Sequence, residues 1–110
     1  MNNIAVTTTF GFEGYRIREY KGVVRGVIVR SPSIGQSFLG GLKTIVGGQI
    51  GEFTRVCEET RQHAYDVMLD HARQLGANAV VGVRYDASGF AQNATEVLCY
   101  GTAVVIEPER

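Results

Sequence analysis

The stretch Leu75-Gly76-Ala77-Asn78-Ala79-Val80-Val81-Gly82-Val83 constrains this chain most tightly. Upstream of it, apolar residues recur every three or four positions, the period of a helix buried along one side. At Gly76 that rhythm stops, and glycine readily takes the left-handed conformation that ends many helices. Downstream, a short and mostly apolar run reads as a strand covered on both faces. A helix must therefore deliver the chain directly into the middle of a sheet.

The remaining elements follow from that junction. Ile4 to Thr9 reads as a short strand of β-branched residues, and Phe10 to Gly14 as a turn. Tyr15 to Arg30 alternates as a long strand, interrupted by Gly22 and Gly26, until Ser31-Pro32-Ser33 ends it. Within Ile34 to Ile50, Phe38, Leu39, Leu42, Ile45 and Val46 are spaced for a short helix that Gly47-Gly48 breaks. A longer helix runs from Gly51 to Leu75, with Phe53, Cys57, Thr60, Ala64, Met68, His71 and Leu75 on one stripe. Asn78 to Asp86 is a strand, Ala87 to Asn93 a loop, and Ala94 to Glu107 the last strand. Pairing Asp86 with Ala94 across that loop sets Arg84 opposite Glu96. If the strands on either side of the long helix are parallel neighbours, their crossover is right-handed. The order is an α+β layout with one helix on an antiparallel or mixed sheet.

Such a sheet has too much apolar surface for one helix to cover. Val23, Val24, Val27, Ile28, Val29, Val80, Val81, Val83, Val104, Val105 and Ile106 supply both of its faces. Self-association is the expected remedy for the second face and the open edges. The 110 residues make one domain, residues 1–110. Eleven basic and eleven acidic residues cancel, which removes any general pull toward nucleic acid or an anionic membrane. No apolar run approaches the roughly 20 residues of a bilayer span, and the first residues lack a signal-peptide pattern, so a cytoplasmic location is expected. Two cysteines, Cys57 and Cys99, make neither a disulfide framework nor a zinc knot.

Four segments carry a family likeness: Glu19-Tyr20-Lys21-Gly22-Val23-Val24-Arg25-Gly26, Ile45-Val46-Gly47-Gly48, Ala72 through Asp86, and Thr95 through Val105. With these the chain resembles the YbjQ-like family, often labelled "putative heavy-metal-binding domain". The resemblance implies a dodecin-like β-α-β-β subunit, with short extra strands that promote assembly into a ring of five copies. It brings no catalytic residues with it.

The long helix offers one constellation of ligand types. Glu59, His63, Asp66 and Asp70 follow spacings of four, three and four along a flank turned away from the apolar stripe. An imidazole and carboxylates on adjacent turns can bind zinc or another divalent metal, and a cation would relieve the repulsion between Asp66 and Asp70. The plain alternative is a solvated polar face with Arg73 as counter-charge to Asp70. Such a linear stripe holds an ion weakly unless water or a second subunit completes the shell. His71, Cys57 and Met68 form a softer set on the stripe. However, fourteen residues of helix part Cys57 from His71 by about 21 Å, so His71 reads as a packed histidine bonded to a neighbour. Cys99 reads as a small buried apolar residue.

No residue pattern supplies a base for a nucleophile, and Gly40-Gly41-Leu42-Lys43-Thr44 lacks the spacing of a phosphate loop. The expectation is a homo-oligomeric binding or scaffold protein, not an enzyme. Two other readings stay open: a small-molecule carrier whose ring cavity is lined by Phe38, Phe53 and Tyr100, and an enzyme with an intersubunit site.

Overall fold

The computed structural model describes residues 3–30, 50–91 and 94–109. These form β1 (Ala5–Val6), β2 (Tyr15–Arg30), α1 (Ile50–Gln74), β3 (Ala79–Ala91) and β4 (Ala94–Pro108). The sheet order is β1-β3-β4-β2, with β1 parallel to β3 and the other pairs antiparallel. The fold is α+β, one helix on a four-stranded mixed sheet. The short helix expected within residues 38–46 lies outside the described residues.

The junction after α1 is built from named hydrogen bonds. Gly76 takes φ +81°, its N–H reaches the Arg73 carbonyl at 3.0 Å, and the Ala77 N–H reaches the Ala72 carbonyl at 3.1 Å. This pair of bonds is a Schellman motif, and Ala72 and Ala77 share the same apolar cluster, the contact that usually accompanies it. Asn78 then starts the ladder with its side chain. Its Nδ2 donates to the Ile106 carbonyl at 3.0 Å, and its Oδ1 accepts from the Ile106 N–H at 2.8 Å.

The structure settles one open condition and corrects two expectations. The flanking strands β2 and β3 are not neighbours, because β4 inserts between them and pairs with both. The loop expected over Ala87 to Asn93 is mostly strand, since β3 continues to Ala91, which pairs with Ala94. Ser88 and Gly89 favour turns locally, but here the long β4 template holds them in the ladder opposite Glu96 and Thr95. The shorter connection moves the register by four residues. Asp86 thus faces Leu98 and Arg84 faces Tyr100, so the Arg84–Glu96 pair does not form. Arg84 donates instead to the Thr8 carbonyl at 2.9 Å.

The core lies between α1 and one face of the sheet. Val24, Ala64, Met68, Ala72, Val80, Val83, Val97 and Cys99 form its centre. On α1 the buried row is Thr60, Ala64, Met68 and Ala72, spaced by four, whereas Cys57 is exposed. The row with two alanines wins because it lets the helix come closest. The contact is tightest at Gly26, where an added Cβ would lie 2.0 Å from the Ala64 carbonyl oxygen and 2.6 Å from the Met68 nitrogen. At the free edge of β2, the Arg25 N–H donates to His71 Nδ1 at 3.2 Å, the packed and bonded role expected for this histidine.

Among the described residues, the opposite face is covered only at one end. There Ala79, Val81 and Val104 pack with Phe12, Ile17 and Ile106. Further along, Val23, Val27 and Val29 remain 64%, 39% and 53% exposed, and no described residue covers them. The structure is also long, 60 × 26 × 24 Å with a radius of gyration of 17.5 Å, against about 13 Å for a compact domain of this length.

The backbone contact at Gly26 makes a direct prediction. Gly26→Ala should lower stability by about 1–3 kcal/mol, because backbone atoms cannot move aside as a side chain would. Urea denaturation checks this, and an unchanged midpoint would contradict the close approach.

Candidate metal centre

The four flank residues stand where the helical spacing puts them. Glu59, His63, Asp66 and Asp70 are all exposed on α1. Three of them face partners on their own helix. Asp70 Oδ1 accepts from Arg73 at 2.8 Å, Asp66 Oδ1 accepts from Gln62 Nε2 at 3.0 Å, and Glu59 lies 3.5 Å from Arg55. The counter-charge weighed for Asp70 is thus in place. Such exposed pairs are worth little individually. Among the described residues, no three His, Cys, Asp or Glu side chains converge as a metal shell within one chain requires.

A second group of donors lies in the core. Cys99 is central on β4, facing Gly26 of β2 on one side and Tyr85 of β3 on the other. Its thiol donates to Met68 Sδ at 3.7 Å, and both residues are fully buried. Gly26 makes this meeting possible, since any side chain there would hold Met68 and its helix away from the sheet. Tyr85 is the ladder partner of Cys99 across the β3–β4 pair. Burial pushes the thiol above its usual value, and the neighbouring Tyr85 opposes that rise. Tyr85 itself is pushed up to about 12, first by burial and then by its interaction with Cys99. The Arg61 guanidinium lies 5.9 Å from the centroid of the Tyr85 ring.

The sequence reading placed Cys99 in the core correctly but missed its partner. The signal was present: Met68 sits on the buried stripe, and Cys99 on an inward position of the last strand. Their register depends on how the hairpin closes, which spacing alone does not give. Of the aromatics considered for a cavity lining, Phe38 and the Phe53 side chain lie outside the described residues. Tyr100 is exposed on the sheet face away from α1.

A family model described as "Putative heavy-metal-binding" matches residues 4–107, nearly the whole chain. The chain belongs to the YbjQ-like family. Among its relatives, a UPF0145 protein of Legionella pneumophila (strain Lens) is 52% identical over 103 residues, covering 94% of this chain and 98% of that protein. A UPF0145 protein of Solibacter usitatus is also 52% identical, covering 94% and 92%. A crystal structure of a protein with unknown function from Pediococcus pentosaceus, of the DUF74 family, superposes with a TM-score of 0.63. Its identity is 17%, over 94% of this chain and 98% of that one, so this likeness concerns the fold.

Two donor sets of this YbjQ-like chain bear on the family description. The flank supplies one imidazole and three carboxylates, hard and borderline donors that do not close on an ion within one chain. Cys99 and Met68 supply two soft sulfurs already in contact.

Proposed function

We propose that this YbjQ-like protein is a binding module assembled from copies of itself, not an enzyme. The open face of the sheet carries the reading. Val23, Val27 and Val29 on β2 are exposed there, with exposed Tyr100 on β4 opposite Arg25, between the levels of Val23 and Val27, and removing such apolar area from water favours association by about 25 cal/mol per Å². An elongated subunit with an uncovered sheet face suits a second copy, whose matching valines fit it better than nucleic acid or a membrane would. The family resemblance adds the dodecin-like ring and a count of five. No described helix is long and apolar enough to cross a membrane. We place the ring in the cytoplasm, the compartment that keeps thiols such as Cys57 and Cys99 reduced.

Binding, within this reading, concerns a divalent metal such as zinc at Glu59, His63, Asp66 and Asp70. His63 has Glu59 one turn before it and Asp66 one turn after it, so the flank offers a partial shell. A neighbouring copy or water would supply the remainder, and the competing partners of Asp66 and Asp70 keep the affinity low.

Light scattering on a sizing column is expected to give the mass of five 12.0 kDa chains. A stable monomer at micromolar concentration would contradict assembly. In calorimetric titration, zinc should bind saturably to the wild type and lose that binding in His63→Ala. No saturation at millimolar zinc would remove the flank from consideration.

A further inference from the structure

We infer that copies of this chain meet head to tail, the β2 side of one open sheet face against the β3 side of the next, with Arg25 of one copy paired to Asp86 of its neighbour. The inference rests on the proposed self-assembly and adds which two surfaces meet.

Placement is the first support. Arg25 stands opposite Tyr100, and Asp86 opposite Leu98. Along β4, Leu98 and Tyr100 alternate with Val97 and Cys99, which belong to the core under α1. Arg25 and Asp86 therefore share the open face with Val23, Val27 and Val29. They occupy its two sides, Arg25 on β2 and Asp86 on β3, with β4 between them. Asp86 is level with Val27 across Leu98, two residues along the strands from Arg25.

Charge is the second support. Among the described residues, neither Arg25 nor Asp86 has an ion-pair partner. Asp86 Oδ1 accepts from the Ala87 N–H at 2.9 Å, which leaves its other oxygen open. Two neighbouring charges are already engaged. Arg84 donates to the Thr8 and Val83 carbonyls, both at 2.9 Å, and lies 5.9 Å from the centroid of the Phe10 ring. Glu96 is bonded to Ser88 at 3.4 Å. A cation on one side and an anion on the other complement each other when the same face repeats by rotation. A two-fold setting β2 beside β2 would instead bring Arg25 toward Arg25, and like charges in contact oppose binding.

Strand direction is the third support. β2 and β3 both run antiparallel to β4, so they point the same way. Rotation about an axis along the strands keeps that direction and brings β2 of one copy beside β3 of the next. A heterologous contact of this kind closes into a ring. The β3 side has room for it. The Gly82 and Val83 N–H groups donate to Thr9 and Thr7, but from Tyr85 to Ala91 no described strand flanks β3 on its outer side. On β2 the Arg25 N–H is taken by His71, so that side offers its side chains at this level rather than its backbone. The valines supply apolar contact, while the ion pair sets partner and direction.

Charge exchange tests the pairing, read by sedimentation velocity over a dilution series, with circular dichroism as the check on folding. Both side chains are exposed, so the variants should fold. Arg25→Glu and Asp86→Arg should each weaken association at least about tenfold, and the double variant should regain it. Arg25→Ala and Asp86→Asn remove one charge without reversing it and should weaken association less. If the wild type assembles and the single variants assemble equally well, the pairing is overturned while self-assembly stands. A double variant as weak as the single ones would overturn it too. Tighter association of Arg25→Ala would indicate the two-fold contact and overturn the head-to-tail one. A wild type that stays monomeric throughout would overturn the self-assembly reading itself, and this inference with it.

Discussion

At Gly26 the backbone of β2 meets the backbone of α1, with no side chain between them. A single methyl there would fall 2.0 Å from the Ala64 carbonyl oxygen. Everything on the covered face of the sheet is set by that contact. It selects the row of Thr60, Ala64, Met68 and Ala72 as the buried side of the helix. It brings His71 to the free edge of β2, where the imidazole accepts a strand N–H that would otherwise lack a partner. It also sets Met68 against Cys99. Interiors packed at crystal-like density transmit such a constraint over several residues.

Much of this was legible in the sequence because its signals are local. Gly76 ends α1 as the halted periodicity implies, and β2 spans Tyr15–Arg30 as its alternation implies. Errors arose where a non-local pairing overrode a local preference. Ser88 and Gly89 look like a turn, yet the ladder with β4 keeps them extended. Insertion of β4 between β2 and β3 is a matter of topology, which no spacing within one strand encodes. The candidate site followed the same rule. Helical spacing fixed which flank carries Glu59, His63, Asp66 and Asp70, because those residues share one element. It could not reveal the contact between Cys99 and Met68, which lie 31 residues apart on different elements.

The two donor sets differ in kind. The flank residues are in water, with partners of their own, and whatever they hold is held loosely. The Cys99–Met68 pair is fully buried in the core.

One helix covers one face of the sheet, and our central proposal is that another copy covers the other. Val27 is on the uncovered face, away from the core, so replacing it should leave the fold intact. Sedimentation velocity of Val27→Asp, with circular dichroism as the check on folding, tests the claim most directly. The account predicts a folded monomer where the wild type sediments as an assembly. A folded Val27→Asp protein that sediments as the same assembly would show that this face is not where the copies meet.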